Sequence, residues 1–330
     1  MSNIKDLSTA CYLSDFKVLP FREIKKMPLE DIIEYYRDLR LFEYLNGYSV
    51  EGITSRKLIH PLLLKGIQIH RIANKEKLKV IGDDRVKTDK PIIFACTHIG
   101  GNDIQRVFEG IKTHAYLFLG DPKEAYTDFN GKILNLNGVI PFETHDKIDR
   151  KIAYANAVDL LKKGGNLLIF PEGTWNLSVN ELVLKLFKGT VRMANETHAD
   201  IVPVAIEQYD NQFYVNIGRN IPYDPEKSPN IDLANEELRD AMATLKYEIF
   251  LYQYADSQAP RESIPDDYEE TFLKTIVDRC EYDFSLEEML GDAYKDPNIV
   301  LPEEALIVTP KEAAEKRKLL ISGYCNIGSK

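Results

Sequence analysis

Residues 90–111, KPIIFACTHIGGNDIQRVFEGI, join an apolar run, a loop with two glycines and a helical pattern. The run that ends at Cys96 predicts a β-strand, and Ile104, Val107 and Ile111 have the spacing of one helix face. A strand that leads through a short loop into a helix is the repeating unit of α/β proteins. This stretch therefore predicts an α/β fold and places its loop at the carboxyl end of a strand.

The same alternation extends from about residue 78 to residue 222. Between the expected strands lie helical patterns, one of which should stop at KKGGN, residues 162–166. The expected strands are KLKVIG (77–82), KPIIFAC (90–96), NGVIPF (137–142), NLLIF (166–170), IVPVAIE (201–207) and QFYVNIG (212–218). We expect a mostly parallel sheet flanked by helices in residues 78–225.

Two helical regions flank this core. Residues 1–77 contain LEDIIEYYRDLRLFEYL (29–45) and the basic, apolar stretch PLLLKGIQIHRIANK (61–75), in which Pro61 suits a first helical turn. The second stretch either lies in a membrane interface or packs on the protein's own core. Residues 226–330 are acidic and mainly helical in pattern, with capping-box sequences SLEE (285–288) and TPKE (309–312).

Composition narrows the class of protein. The net charge of −10 over 330 residues makes nucleic acid a poor partner. Residues 51–90, however, hold ten Lys and Arg against five Asp and Glu, a balance that suits anionic lipid or an acidic carrier protein. We see no secretory leader and no spanning segment, and the four cysteines are scattered. We therefore expect a cytoplasmic protein, in peripheral contact with the inner leaflet of a membrane.

The loop at 97–102 holds the candidate chemistry. His98 follows the strand, where ligands bind in open α/β sheets. Asp103 falls in the first turn of the next helix, with Asn102 as the expected N-cap and Gln105 completing a capping box. An ionised Asp103 would fix the tautomer of His98, and Gly101 would let a substrate approach the backbone. The alternative is ordinary capping beside a hydrogen-bonded loop histidine.

A second polar turn follows another expected strand. In NLLIFPEGTW, residues 166–175, proline ends the strand and Gly173 allows an unusual turn. Glu172 and Thr174 then present polar groups at the edge of the sheet, and backbone amides of the turn could bind an oxyanion.

The order of these blocks resembles the glycerolipid acyltransferase superfamily, whose best-known members acylate lysophosphatidic acid. That superfamily carries HxxxxD, a Gly-x-Ile-Phe type block, FPEGT and a proline-containing fourth block. They fall here at His98/Asp103, 138–142, 170–174 and 202–206, with Lys188-Gly189 matching a lysine-glycine pair. The resemblance covers about residues 78–218.

The resemblance implies a reaction. His98, oriented by Asp103, would act as general base on a hydroxyl that attacks the thioester of acyl-CoA or acyl carrier protein, with neither metal nor resident cofactor. Glu172, Gly173, Thr174 and Lys188 would help hold the acceptor, a lipid or lipid-like molecule. A thioester hydrolase using the same pair, or a lipid-binding protein without turnover, stays open.

Two positions depart from the family pattern. Members that use phosphate-bearing acceptors place arginines where this chain has Thr144 and Trp175. Arginine binds phosphate through two parallel hydrogen bonds, and neither residue replaces that. Trp175 instead offers an aromatic face for a sugar ring, an acyl chain or packing. We therefore expect another hydroxyl or amine acceptor in place of lysophosphatidic acid.

Overall fold

A computed structural model describes residues 16–47, 49–122, 125–126, 129–176, 178, 181–226, 229–254 and 266–279. The strands are β1 (Lys77–Asp83), β2 (Ile92–Cys96), β3 (Tyr116–Gly120), β4 (Val139–Phe142), β5 (Leu167–Ile169), β6 (Asp200–Tyr209) and β7 (Gln212–Ile217). The helices are α1 (Phe21–Ile24), α2 (Leu29–Leu45), α3 (Ile53–Ala73), α4 (Asp103–Ile111), α5 (Phe129–Asn137), α6 (Lys147–Lys162), α7 (Gly189–Thr197), α8 (Ile231–Tyr254) and α9 (Tyr268–Arg279).

The strands form one mixed sheet in the order β1-β7-β6-β2-β5-β3-β4. The five strands from β6 to β4 are parallel, whereas β7 pairs antiparallel with β6 and parallel with β1. The carboxyl ends of β2, β5, β3 and β4 therefore meet along one edge. We call this edge, with the loops that follow these four strands, the carboxyl edge.

Both faces of the sheet are covered, and this explains why its central strands are apolar throughout. Side chains of β2 alternate, so that Ile93 and Ala95 join one buried cluster while Phe94 and Cys96 join the other. Helices α6, α7 and α8 contribute to the first cluster, and α3 and α4 contribute to the second. Continuous apolar runs are typical of parallel strands buried on both faces.

The mostly parallel sheet flanked by helices that the sequence predicts is confirmed, but one of its strands and one of the flanking helices were not predicted. Strand β3 is the apolar run YLFLG, which lacks alternation and cannot be distinguished from a helix segment by pattern. Helix α5 has the sequence FNGKILNLN, whose glycine and asparagines obscure any helical period. The stop at KKGGN is confirmed, since α6 ends at Lys162 and Gly164 has a φ of 75°.

The described residues before β1 form the helices α1, α2 and α3, and α2 spans 29–45. The placement of Pro61 in a first turn is wrong, because α3 begins at Ile53 and holds Pro61 in its interior. Packing of α3 against α4 and α5 offsets the hydrogen bond that an interior proline removes. None of the helices within the described ranges has both the length and the apolarity needed to cross a bilayer. The capping boxes at 285–288 and 309–312 lie outside the described residues, and the three-part division of the chain stays a prediction.

Candidate active site

His98 and Asp103 meet at the carboxyl edge, in the loop between β2 and α4. Nδ1 of His98 lies 2.7 Å from Oδ2 of Asp103, a carboxylate that is fully buried. A carboxylate only accepts hydrogen bonds, so Nδ1 carries the proton and Nε2 keeps its lone pair. The His98 side chain retains 17% of its exposure, enough for a substrate to reach it. This is the geometry of a general base with its orienting carboxylate.

The backbone of the loop serves the same carboxylate. The amides of Ile99 and Gly100 donate to Oδ2 of Asp103 over 2.9 and 3.0 Å. Gly100 and Gly101 have φ values of 82° and 61°, in the left-handed region that glycine adopts without strain. The glycine pair therefore lets the loop turn back so that its amides converge on Asp103.

The capping box expected at the start of α4 does not form. The Asn102 side chain makes no capping hydrogen bond and instead donates to Oε1 of Glu76 over 2.8 Å. The Asp103 side chain points back along the loop and accepts from the amides of Ile99 and Gly100, which precede the helix. A local pattern cannot anticipate this, since Glu76 lies 26 residues away in sequence.

Glu172 joins two loops in the interior. Only 3% of Glu172 is exposed, and its two oxygens accept from the backbone amides of His98 (3.2 Å) and Leu184 (2.7 Å). Burial raises the pKa of this carboxyl, and the charge of Lys246 opposes that rise. Glu172 thus anchors the backbone of the candidate base, and direct contact of Glu172 with an acceptor stays a prediction.

Aromatic rings surround the imidazole. The ring of His98 stacks on Phe170 with centroids 4.2 Å apart, and the Trp175 ring meets it edge-on at 6.0 Å. The indole also covers Gly100, since a Cβ built there would lie 3.3 Å from its ring atoms. The backbone adds a link, because the amide of Asn176 donates to the carbonyl of His98. Trp175 therefore lies beside His98, and its contact with a substrate stays a prediction.

The remaining predicted residues lie at different distances from this centre. Gly173 is exposed and Thr174 half-buried in the turn after β5, while the Gly173 amide donates to the Phe170 carbonyl and so is occupied. Lys188 precedes α7 and its ammonium pairs with Asp232 of α8. The structure thus brings Glu172 and Trp175 to the histidine and directs the Lys188 side chain towards another helix.

Thr144, at the end of the second family block, makes a different contact from that of the family arginine. Thr144, after β4, donates from its amide and its hydroxyl to the two oxygens of Asp121, over 2.9 and 2.6 Å. Arg150 donates to the Thr144 carbonyl. A carboxylate therefore lies on the carboxyl edge where the family pattern places a cation.

An open α/β sheet with a histidine–aspartate pair at its carboxyl edge defines a class of proteins suited to base-assisted group transfer. Comparison with known proteins narrows the class. Residues 77–207 match the model of the Acyltransferase family.

Two characterised proteins are similar to this chain. A 1-acyl-sn-glycerol-3-phosphate acyltransferase of Borreliella burgdorferi is 27% identical over 141 residues, which are 43% of this chain and 55% of that protein. The chain therefore matches about half of the length of this relative. The crystal structure of the 1-acyl-sn-glycerophosphate (LPA) acyltransferase PlsC from Thermotoga maritima is similar with a TM-score of 0.46 and 16% identity, covering 78% of this chain and 98% of that chain.

Proposed function

We propose that this protein transfers a fatty acyl group from a thioester donor, acyl-CoA or acyl carrier protein, to a hydroxyl or amine of a lipid or lipid-like acceptor. The observation that carries the proposal is the 2.7 Å contact between His98 Nδ1 and Asp103 Oδ2, in a segment that matches the Acyltransferase family. The similarity to a 1-acyl-sn-glycerol-3-phosphate acyltransferase supports a lipid acceptor.

The proposed reaction uses His98 twice. Nε2 takes the proton of the acceptor hydroxyl while its oxygen attacks the thioester carbonyl carbon. The carbon–sulfur bond then breaks, and the departing thiolate takes the proton back from the imidazolium. Asp103, ionised and buried, stabilises the imidazolium between these two steps. No acyl-enzyme is formed.

The acceptor that fits the site carries no phosphate at the position of the missing arginines. Asp121 and Arg150 both hydrogen-bond to Thr144, so the carboxylate opposes the attraction that the guanidinium would offer to a phosphate there. Trp175 places an indole beside His98, a surface that suits a sugar ring or an acyl chain better than an anion. We therefore expect a neutral or amino head group to be preferred over lysophosphatidic acid.

Helix α3 supplies a surface for a membrane. Its exposed apolar side chains follow one stripe of the helix with Lys65 in the middle: Leu58 (77% exposed), Leu62 (70%), Ile69 (68%) and Ile72 (66%). Lys75 and Lys77 are exposed just beyond it. An apolar stripe with flanking lysines suits an anionic bilayer, and the stripe ends beside Glu76, which contacts the loop of the site. We propose a peripheral position on the inner leaflet, reached from the cytoplasm.

Thioester turnover tests the proposal. Wild-type protein and His98→Ala are mixed with acyl-CoA or acyl carrier protein donors and total lipid extract, and thiol release is recorded with intact-lipid mass spectra. Acyl-sized mass gains that require His98 support the transferase and identify the acceptor. Thiol release with only free fatty acid favours a hydrolase. Absence of turnover with every donor favours a lipid-binding protein.

A matched control separates the role of His98 from general damage. His198 is the C-cap residue that follows α7, in the left-handed region (φ 56°), at the opposite edge of the sheet. His198→Asn preserves this conformation, because asparagine tolerates it, and should keep wild-type turnover.

A further inference from the structure

A fully buried arginine lies one turn beyond Asp103 on α4. Arg106 is 0% exposed, and its Nε donates to Oε2 of Glu76 over 2.8 Å. Its Nη1 donates to Oε2 of Glu109 over 3.1 Å. A buried guanidinium requires such anionic partners, because an unpaired charge in the interior is strongly destabilising.

The charged side chains around Arg106 balance one another in sign and link α3 to α4. The Nε–H of Arg71, on α3, is shared between the two oxygens of Glu109, at 2.9 and 3.0 Å. Two arginines and two glutamates, of which Arg106 and Glu109 are buried, therefore form a charge-balanced network between the carboxyl end of α3 and α4. We call this set the Arg106 network: Arg71, Glu76, Arg106 and Glu109.

Glu76 holds the first turn of α4 at two points. Its Oε1 accepts from the side chain of Asn102, which directly precedes Asp103, while its Oε2 accepts from Arg106. The turn receives no side-chain cap from Asn102. Glu76 therefore supplies contacts from outside the helix on both sides of the Asp103 backbone.

We propose that Glu76 is a positioning residue for the His98–Asp103 pair. This role rests on the proposed function, in which the His98–Asp103 pair must meet the acceptor hydroxyl in a precise geometry. With Glu76 removed, Arg106 loses its Nε partner and Asn102 loses its hydrogen bond to Oε1, so the first turn of α4 shifts and the contact of Asp103 with His98 lengthens. Glu76 reaches no reacting atom itself and acts through Asn102 and Arg106.

Two variants of Glu76 test this role. Glu76→Ala should lower kcat by about 10- to 100-fold with a nearly unchanged KM for the donor, since a displacement of about 1 Å at a catalytic group costs about 100-fold. Glu76→Gln retains one acceptor oxygen and should give an intermediate loss. The direct readout is the downfield proton resonance of His98 Nδ1–H, assigned by its absence in His98→Ala, which should shift or broaden in both variants.

Asn137→Ala provides the control. Asn137 is buried at the amino ends of β3 and β4 and also links α3 to the sheet, since its Oδ1 accepts from His60 over 2.7 Å and its Nδ2 donates to the Ala115 carbonyl. Its loss should lower the unfolding temperature but leave the His98 resonance and kcat unchanged.

The outcomes separate the two proposals. A Glu76→Ala or Glu76→Gln protein with reduced stability but an unshifted resonance and wild-type kcat overturns the positioning role. If Glu76→Ala does not fold, Glu76→Gln decides alone. Failure of the proposed function is seen independently, as equal turnover by wild type and His98→Ala, and the resonance still reports the position of Asp103 in that case.

Discussion

A single oxygen of Asp103, Oδ2, accepts both the imidazole Nδ1–H of His98 and the backbone amides of the two residues after His98. The carboxylate thus orients the ring and the loop that carries the ring. A histidine held in this way does not need to reorganise when an acceptor arrives. An asparagine at this position has the shape of the carboxylate but no charge, so the contribution of the Asp103 charge can be measured by itself.

Asp103→Asn should lower kcat by about a thousandfold or more while the protein stays folded. The amide can still accept hydrogen bonds, but it carries no charge to stabilise the imidazolium and can present its NH₂ group to His98, which favours the wrong tautomer. Turnover of the acyl donor, with the unfolding temperature as control, measures this. A loss below tenfold would contradict a catalytic role for Asp103.

Gly173→Ala should destabilise the turn after β5. Gly173 has a φ of 72°, and a Cβ there would lie 2.4 Å from the ring of Phe187. The left-handed backbone alone costs an alanine about 1–2 kcal/mol. Denaturant unfolding of Gly173→Ala and of the double variant with Phe187→Ala separates the two causes. The double variant should recover the part due to the clash, and full recovery would show that the backbone is not strained.

Acidification should weaken the fold through two buried histidines. Burial lowers the pKa of His114 to about 4 and also lowers that of His60, from an ordinary value of 6.5. The unfolded chain therefore binds more protons between pH 6.5 and 4, so stability is present above pH 6.5 and falls as the pH drops through this window.

The measurement is the unfolding temperature between pH 7.5 and 4.5 for wild type and His114→Gln. Glutamine can donate to the Asn137 carbonyl that now accepts from Nε2 of His114, and it does not titrate. The variant should show a shallower decline with falling pH. If the unfolding temperature falls equally steeply with pH in both proteins, groups other than His114 cause the loss of stability.

Charge on the outer face of α3 should abolish membrane binding. Leu62→Glu with Ile69→Glu introduces two anions into the apolar stripe, without touching the buried face of the helix. Sedimentation with anionic and neutral vesicles should show wild-type binding that depends on anionic lipid and is lost in the double variant. Leu251→Glu, on the exposed face of α8, is the matched control. Equal binding by all three proteins would exclude the stripe as the docking surface.

An acceptor panel tests the two departures from the family pattern. Lysophosphatidic acid should be a poorer acceptor than lyso-lipids with neutral or amino head groups. Introducing the two arginines of the family pattern, as Thr144→Arg with Trp175→Arg, should raise turnover of lysophosphatidic acid relative to the acceptors with neutral or amino head groups. Efficient acylation of lysophosphatidic acid by the wild type would refute the expected preference.

The sequence alone determined the α/β class, because apolar runs and helical spacings are local properties of the chain. It also brought His98, Asp103 and the FPEGT turn into one hypothesis, because the order of these blocks resembles that of the glycerolipid acyltransferase superfamily. Strand β3 and helix α5 escaped prediction, since a short apolar run has no period and an asparagine-rich helix has no clear face.

The tertiary structure decided which partner each polar group takes. Asn102 has the sequence of a helix cap, yet its side chain bonds to Glu76, and Glu172 has the appearance of a substrate-binding residue, yet both of its oxygens accept from backbone amides. These contacts join residues 12 to 74 positions apart, so no local pattern encodes them. The distance between His98 and Asp103 depends on both the sequence and the tertiary structure. The loop supplies the two residues, and the packing of α4 on the sheet brings them within a hydrogen bond.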